Sequence, residues 1–420
     1  MSKYAGWIIF GTLVFFLLSV KLPFLLILPT ISAWLVPVVM WQFLGKSSRK
    51  QTLWLLIIGL AALFFSAGQG IYLGWRQIFA ANLPLLAMFV AVSFLTLTSS
   101  VTEGPALPNG KKAVITTAIG THLLGAVINL SAVFLFGDRL QRNGSLSKVQ
   151  MIILARSFCA AAWWSPFFIA TGVALIYAPD MSWKETLIPG AVMSIIAISY
   201  STVEVCFFSK ARFSGYPLKT ESLAIPLFLA AVVIGVHHFR HDINVLVLIC
   251  LLAPAGALLF MKGRPRLPTL RDFIDNRIST VSSQFALFLA TGVFSTGIKS
   301  ITHVYPAVFT LEGSFTPLMF AIILGAMILI GIVGVHPVVS IAIVSPLLLP
   351  LDPDHSQLGF LFLTSWAVST ASSPLSGVGL ALVSRFKASP KVIIQSNWRY
   401  ALVMWAIASM MNILFFVGSR

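Results

Sequence analysis

Two Gly-x-His tripeptides interrupt long apolar sequence, Gly120-Thr121-His122 and Gly334-Val335-His336, the second followed by Pro337. Further on in each half a Ser-Pro pair interrupts it again. Ser165-Pro166 has Thr171-Gly172 behind it, and Ser373-Pro374 stands among Thr370, Ser372, Ser376 and Gly377. The chemistry open to such residues is the binding of small ions. Imidazole titrates near neutral pH and either carries a proton or binds a substrate. Proline breaks the helix that would otherwise consume nearby peptide groups, and unwound backbone with hydroxyls ligates ions inside membranes. Asn129 and Ser340 lie within two or three turns of the histidines and extend each set.

Each residue also has a plainer use. A single buried histidine packs and hydrogen-bonds, whereas two at matching places speak equally for a site. A Ser-Pro pair alone gives a kink, but the clustered Ser, Thr and Gly around both pairs favour full breaks. Arg156, deep in an apolar run that starts at Lys148, either snorkels to the cytoplasmic side or meets an anion beside the Ser165 break. Trp163 and Trp164 pack beside that break, with one able to wall a site. Glu204 and Arg399 read as interface anchors. His237, His238 and His241 crowd an outer helix end, with Asp242 the sole carboxylate near them. No metal motif results.

The elements that must position these residues are membrane spans. The 420 residues are 58% apolar and 10% charged, with a mean hydropathy of +0.94, which excludes a soluble globular protein. The expected fold is an all-α polytopic membrane protein. Spans are predicted at 5–20, 22–44, 51–68, 77–99, 148–178, 183–208, 223–239, 243–261, 279–301, 357–384 and 392–418. That makes eleven crossings, with two re-entrant hairpins at 111–137 and 315–350, each with its tip at the Gly-x-His. The run Ala5–Val20 lacks a small-residue cleavage site and reads as a retained span. The three cysteines, Cys159, Cys206 and Cys250, fall in apolar runs at irregular spacing and suggest no disulfide.

The net charge of +16 is explained by topology and not by nucleic acid. With the N-terminus inside, twenty of the 28 Lys and Arg residues fall in cytoplasmic loops, five outside and three within spans. The C-terminus is then outside. Gly120, His122 and Ser131 align with Gly334, His336 and Ser345, the Ser157–Pro166 stretch with Ser365–Pro374, and Phe94 with Phe294. An odd number of crossings separates the copies, so they insert oppositely, as an inverted repeat. The first repeat is 1–208, with scaffold spans 5–99, hairpin 111–137, broken helix 148–178 and span 183–208. A cytoplasmic linker follows at 209–222. The second repeat, 223–420, has scaffold spans 223–301, hairpin 315–350, broken helix 357–384 and span 392–418.

The order of hairpin, broken span and span, given twice, resembles the ion transporter superfamily, and within it the divalent anion/sodium symporters of dicarboxylates and citrate. The resemblance covers the whole chain in architecture and is specific at 111–178 and 315–384. Carried over, the hairpin tips are Thr121-His122 and Val335-His336-Pro337. The break loops are Ser165-Pro166 with Thr171-Gly172, and Ser372-Ser373-Pro374 with Ser376-Gly377. Neither tip reads Ser-Asn-Thr, as the family's tips do, so the chain is a divergent relative. The resemblance implies a transport domain moving by an elevator motion in a homodimer.

The expected function is secondary transport of a small organic or inorganic anion, coupled to H+ or Na+, in a bacterial inner membrane. The site residues are Thr121, His122, Asn129, Arg156, Ser165, Thr171, His336, Ser340, Thr370, Ser372, Ser373 and Ser376. No cofactor is expected beyond the coupling ion. The partners are the anionic substrate and membrane lipid, with no nucleic acid. Nucleotide-binding loops, nucleophile elbows and paired acids are all missing from the sequence, so neither an enzyme nor an ATP-driven pump is expected. Two alternatives stay open: an exporter or flippase of a larger amphiphilic or lipid-linked anion, and a receptor or scaffold that kept the fold without transport.

Overall fold

The computed structural model describes residues 2–98, 107–141, 145–209, 212–216, 228–229, 231–233, 235–236, 239, 243–261, 263–306 and 313–417. In chain order the helices are α1 Ser2–Lys21, α2 Ile27–Met40, α3 Lys46–Gly68, α4 Trp75–Phe79 and α5 Leu83–Ser93. Next come α6 Lys111–Ile128, α7 Ser131–Leu140, α8 Lys148–Cys159, α9 Ile169–Tyr177 and α10 Trp183–Val203. Then follow α11 Val245–Phe260, α12 Arg266–Asp272, α13 Ser282–Val304, α14 Pro317–Val333 and α15 Pro337–Leu348. The chain ends with α16 His355–Ser372, α17 Gly377–Phe386 and α18 Pro390–Asn412. Among the described residues the only β pairing is an isolated bridge between Asn109 and Ser214.

Eight helical stretches of the described residues are long and apolar enough to cross a membrane, so the chain is a multi-pass helical membrane protein. The other three expected crossings took different forms. The 148–178 span is divided between α8, of 12 residues, and α9, of 9. The 243–261 span is the 16-residue α11. The 223–239 span lies largely outside the described residues, as do His237, His238, His241 and Asp242 at and beyond its end. A further difference concerns the loop expected between the 243–261 and 279–301 spans. Arg266–Arg277 is helical, and Asp275 draws together Lys3 (3.8 Å), Arg271 (3.6 Å) and the Trp7 indole N–H (2.8 Å).

The helices group into two compact units, and each unit takes elements from both halves of the chain. The first contains Met1–Ser99, Ala231–Gly313 and Ala342–Leu351. Its centre is the crossing of α3 with α13, where a Cβ on Gly59 would lie 2.7 Å from Phe294 Cα. Only glycine permits that approach, which is the small-residue packing expected where no hydrophobic effect separates helix from lipid. The Ser66 and Ser300 hydroxyls bond at 2.8 Å along the same seam.

The second unit contains Ser100–Ala230, Ser314–Ile341 and Asp352–Arg420. It collects nearly all the residues singled out from the sequence, so its internal geometry is the one that matters for a site. Its elements recur in one order: two helices joined by a tight turn, an interrupted helix, then a long helix. α6, α7, α8, α9 and α10 make the first series. α14, the start of α15, α16, α17 and α18 make the second.

Candidate functional site

The second turn forms as its residue types require. Thr316 caps α14 by accepting the Met319 N–H at 3.2 Å, and Pro317 occupies the first turn, where no N–H is needed. Gly334 ends α14 in the left-handed region at φ +118°, and Pro337 opens α15 two residues past Val335. The chain therefore turns at Gly334–His336 between α14 and α15.

The first turn is elsewhere than expected. Gly120, Thr121 and His122 lie inside α6, and the chain reverses at Asn129, which has φ +50°. With ψ −139° this is a positive-φ turn conformation, and asparagine is among the few residues besides glycine found at positive φ. The position matching Gly334–His336 is thus Asn129 and not Gly120–His122. The Asn129 amide donates to Phe167 O at 3.0 Å, tying the turn to the following break.

The two breaks are built alike. In the first, α8 tightens into a 3-10 turn at Ala160–Trp163, and regular helix resumes only at Ile169. In the second, Ser373 is extended (φ −96°, ψ 127°), as a residue before proline must be, and helix resumes at Gly377. Ser165 donates its hydroxyl to Ala126 O and accepts the Phe167 N–H at 3.2 Å. Ser373 donates to Ile332 O at 3.1 Å and accepts the Leu375 N–H at 3.3 Å. Each Ser-Pro serine therefore clamps its break to the last turn of the helix before the hairpin turn. Thr171 donates to Ser165 O at 2.7 Å. Ser376 donates to Thr370 O at 2.7 Å and caps α17 by accepting the Gly379 N–H at 3.0 Å.

The structure sorts the expected site residues by whether their polar atoms are already committed. His122 is fully occupied. Its Nδ1 faces Ser157 O at 3.1 Å and its Nε2 accepts the Trp164 indole N–H at 3.0 Å. A carbonyl can only accept and an indole can only donate, so the ring is the neutral Nδ1–H tautomer. Ser340 donates to Pro337 O within its own helix at 2.9 Å. His336 accepts the Val338 N–H at 3.3 Å and meets the Trp366 ring edge-on, with centroids 5.2 Å apart. The break residues Ser165, Thr171, Ser373 and Ser376 are engaged as described.

Arg156 is fully buried and does not snorkel. Its Nε donates to Asn397 Oδ1 at 2.7 Å, one terminal nitrogen to Glu204 Oε2 at 2.7 Å and the other to Ser396 O at 2.6 Å. The Tyr400 ring lies under the guanidinium, 4.6 Å from centroid to carbon. Glu204, read as an interface anchor, is its counter-ion. The guanidinium ties α8 to α10 and α18.

Four buried hydroxyls near the breaks have no hydrogen-bond partner: those of Thr121, Ser157, Thr370 and Ser372. Thr121 and Ser157 flank the His122–Ser157 contact between α6 and α8. Thr370 and Ser372 occupy the last turn of α16, directly before Ser373. Hydroxyls in such surroundings ordinarily find partners, because leaving one unpaired costs about 1–3 kcal/mol. Ser157 was missed in the sequence, where its hydroxyl looks like any small residue in an apolar run. α16 packs against α9 and the 3-10 turn of the first break, and Trp163 donates to Thr364 Oγ1 at 3.1 Å. The interrupted helices of the two series are therefore in direct contact. No group of three or more His, Cys, Asp or Glu among the described residues is placed to hold a metal ion.

No protein-family model matches the chain, and no curated protein matches its sequence. The fold is similar to that of the Alcanivorax borkumensis YdaH transporter, whose crystal structure is described as revealing an unusual topology. The TM-score is 0.57 at 12% identity, over 88% of this chain and 98% of that one. At that identity the likeness is one of fold.

Proposed function

We propose that the protein is a secondary transporter of a small anion, with Na+ as the coupling ion of the two considered. The observation that carries this is the set of four unpartnered buried hydroxyls, two near each of two similarly clamped helix breaks in one compact unit. A hard monovalent cation takes hydroxyl and carbonyl oxygens as ligands, and interrupted membrane helices supply both. The resumed helices α9 and α17 present N-terminal N–H groups, which favour a negatively charged substrate. His122 has no nitrogen left to exchange a proton, which weighs against H+ coupling at that residue.

The fold likeness to a transporter supports transport in general. The reading retains eleven crossings, two re-entrant hairpins related by an inverted repeat, a homodimer and a bacterial inner membrane with the N-terminus cytoplasmic. The test is uptake by proteoliposomes of labelled sulfate and C4 dicarboxylates under an inward Na+ gradient, a pH gradient, or neither. Na+-driven accumulation of an anion is the expected result. Accumulation only of neutral or cationic solutes would overturn the anion reading, and accumulation driven by pH alone would overturn Na+.

A further inference from the structure

A second polar feature lies away from the breaks, within the same unit. α10 ends in a π-helical turn, Glu204–Phe208, a form common at functional sites. Beside it is a cavity of about 800 Å³ lined by Lys148, Tyr200, Glu204, Ser396, Trp398 and Arg399, among others. A neighbouring cavity of about 600 Å³ shares Val205 and Ser209 with it and adds Lys111 and Arg212. Four basic side chains thus surround one turn. Glu204 does not cancel them, because its carboxylate is met by the buried Arg156 at 2.7 Å. Neither Lys148 nor Arg399 has an ion pair among the described residues, and Arg399 stacks over Trp398 at 5.1 Å.

The walls next to this charge are apolar and uncovered. Val203, Phe207, Phe208, Trp398 and Leu402 are exposed by 46%, 67%, 81%, 52% and 54%. A soluble anion would use the basic residues but gain nothing from those walls. An amphiphile with an anionic head would use both. Basic pockets between membrane helices are suited to phosphate headgroups, and aromatic side chains prefer the level of the headgroups.

We infer that the cavity between α8, α10 and α18 binds the headgroup of an anionic phospholipid. Its phosphate lies between Lys148 and Arg399, and its acyl chains run along Phe208, Val203 and Leu402. The site is separate from the helix breaks and does not depend on the transport reading. Bound there, the lipid would brace the N-terminal end of α8, two turns before Arg156.

The experiment uses the full chain purified in neutral detergent, titrated with phosphatidylglycerol, phosphatidylcholine or inorganic phosphate. Native mass spectrometry and thermal unfolding provide the readouts. Phosphatidylglycerol should bind and raise Tm, while phosphatidylcholine and inorganic phosphate should not. K148Q/R399Q should bind phosphatidylglycerol roughly 30-fold more weakly, which corresponds to about 1 kcal/mol for each basic residue lost. The charge-matched control K184Q/K299Q should bind as wild type does. Equal weakening in both variants would reduce the effect to net charge and overturn the site. A Tm rise with inorganic phosphate alone would replace the lipid with a free anion. Should K148Q/R399Q fold poorly, K148Q alone should still show a five-fold loss, and wild-type binding by K148Q would overturn the proposal.

Discussion

Ser165 and Ser373 make the same two hydrogen bonds in the two halves of the chain. Each donates to a carbonyl at the end of the helix before a hairpin turn and accepts the amide two residues on, across a proline. The duplication therefore lies in the hydrogen bonding and goes beyond sequence resemblance. It assigns Asn129 as the counterpart of the Gly334–His336 turn.

Replacing either serine with alanine leaves a carbonyl and an amide unpaired, both buried at Ser165 and part-buried at Ser373. Ser165→Ala and Ser373→Ala should each destabilise the protein by about 1–3 kcal/mol. Thermal unfolding of both variants checks this, and unchanged midpoints in both would mean that the clamps contribute nothing.

Thr370→Val and Ser372→Ala should behave in the opposite way. Neither hydroxyl has a partner, so removing it sacrifices no bond, and Tm should stay level or rise by the equivalent of up to about 1 kcal/mol. The Na+ concentration giving half-maximal uptake should nevertheless rise tenfold or more. Unaltered Na+ dependence in both variants would take these hydroxyls out of the coupling site.

His122→Gln should lower stability, because two bonds to Ser157 and Trp164 must be re-formed by a different side chain. It should leave the shape of the flux–pH profile intact, since the ring is held neutral by a donor and an acceptor at once. Loss of one limb of that profile would show that His122 titrates during the cycle.

Arg156→Met should cost more than any change above, about 3 kcal/mol. Glu204, Asn397 and the Ser396 carbonyl would all lose a charged donor, with Glu204 one-third exposed and so partly rescued by water. Arg156→Met combined with Glu204→Leu should recover part of the loss, because no unpaired charge remains. A double-mutant cycle measures the coupling, and strictly additive losses would contradict a functional ion pair.

Gly59→Val should disrupt the α3–α13 crossing, where even a Cβ would lie 2.7 Å from Phe294 Cα. The expected readout is loss of folded protein after extraction, with Gly68→Val, which meets nothing within 4 Å, as the tolerated control.

Much of this protein was set by its sequence alone. Apolar runs of membrane length dictate helices, because no other open structure satisfies the backbone in lipid. Ser165-Pro166 and Ser373-Pro374 dictate where two of those helices stop, because proline lacks the needed N–H and constrains the residue before it. Gly334 and Pro337 likewise mark a turn by their backbone preferences. Asn129 carried a similar signal, since it tolerates positive φ, but two matching histidines drew attention to Gly120–His122 instead. What only the tertiary structure decided was which polar atoms are already satisfied. A hydroxyl or imidazole looks the same in sequence whether it is bonded or waiting for a ligand, because its partners lie on other helices. That is why His122 and Arg156, the residues most suggestive of chemistry, proved to be tied to Trp164, Ser157, Glu204 and Asn397. Among the candidates near the breaks, Thr121, Thr370 and Ser372 are instead left without a partner, together with Ser157, which nothing in the sequence singled out.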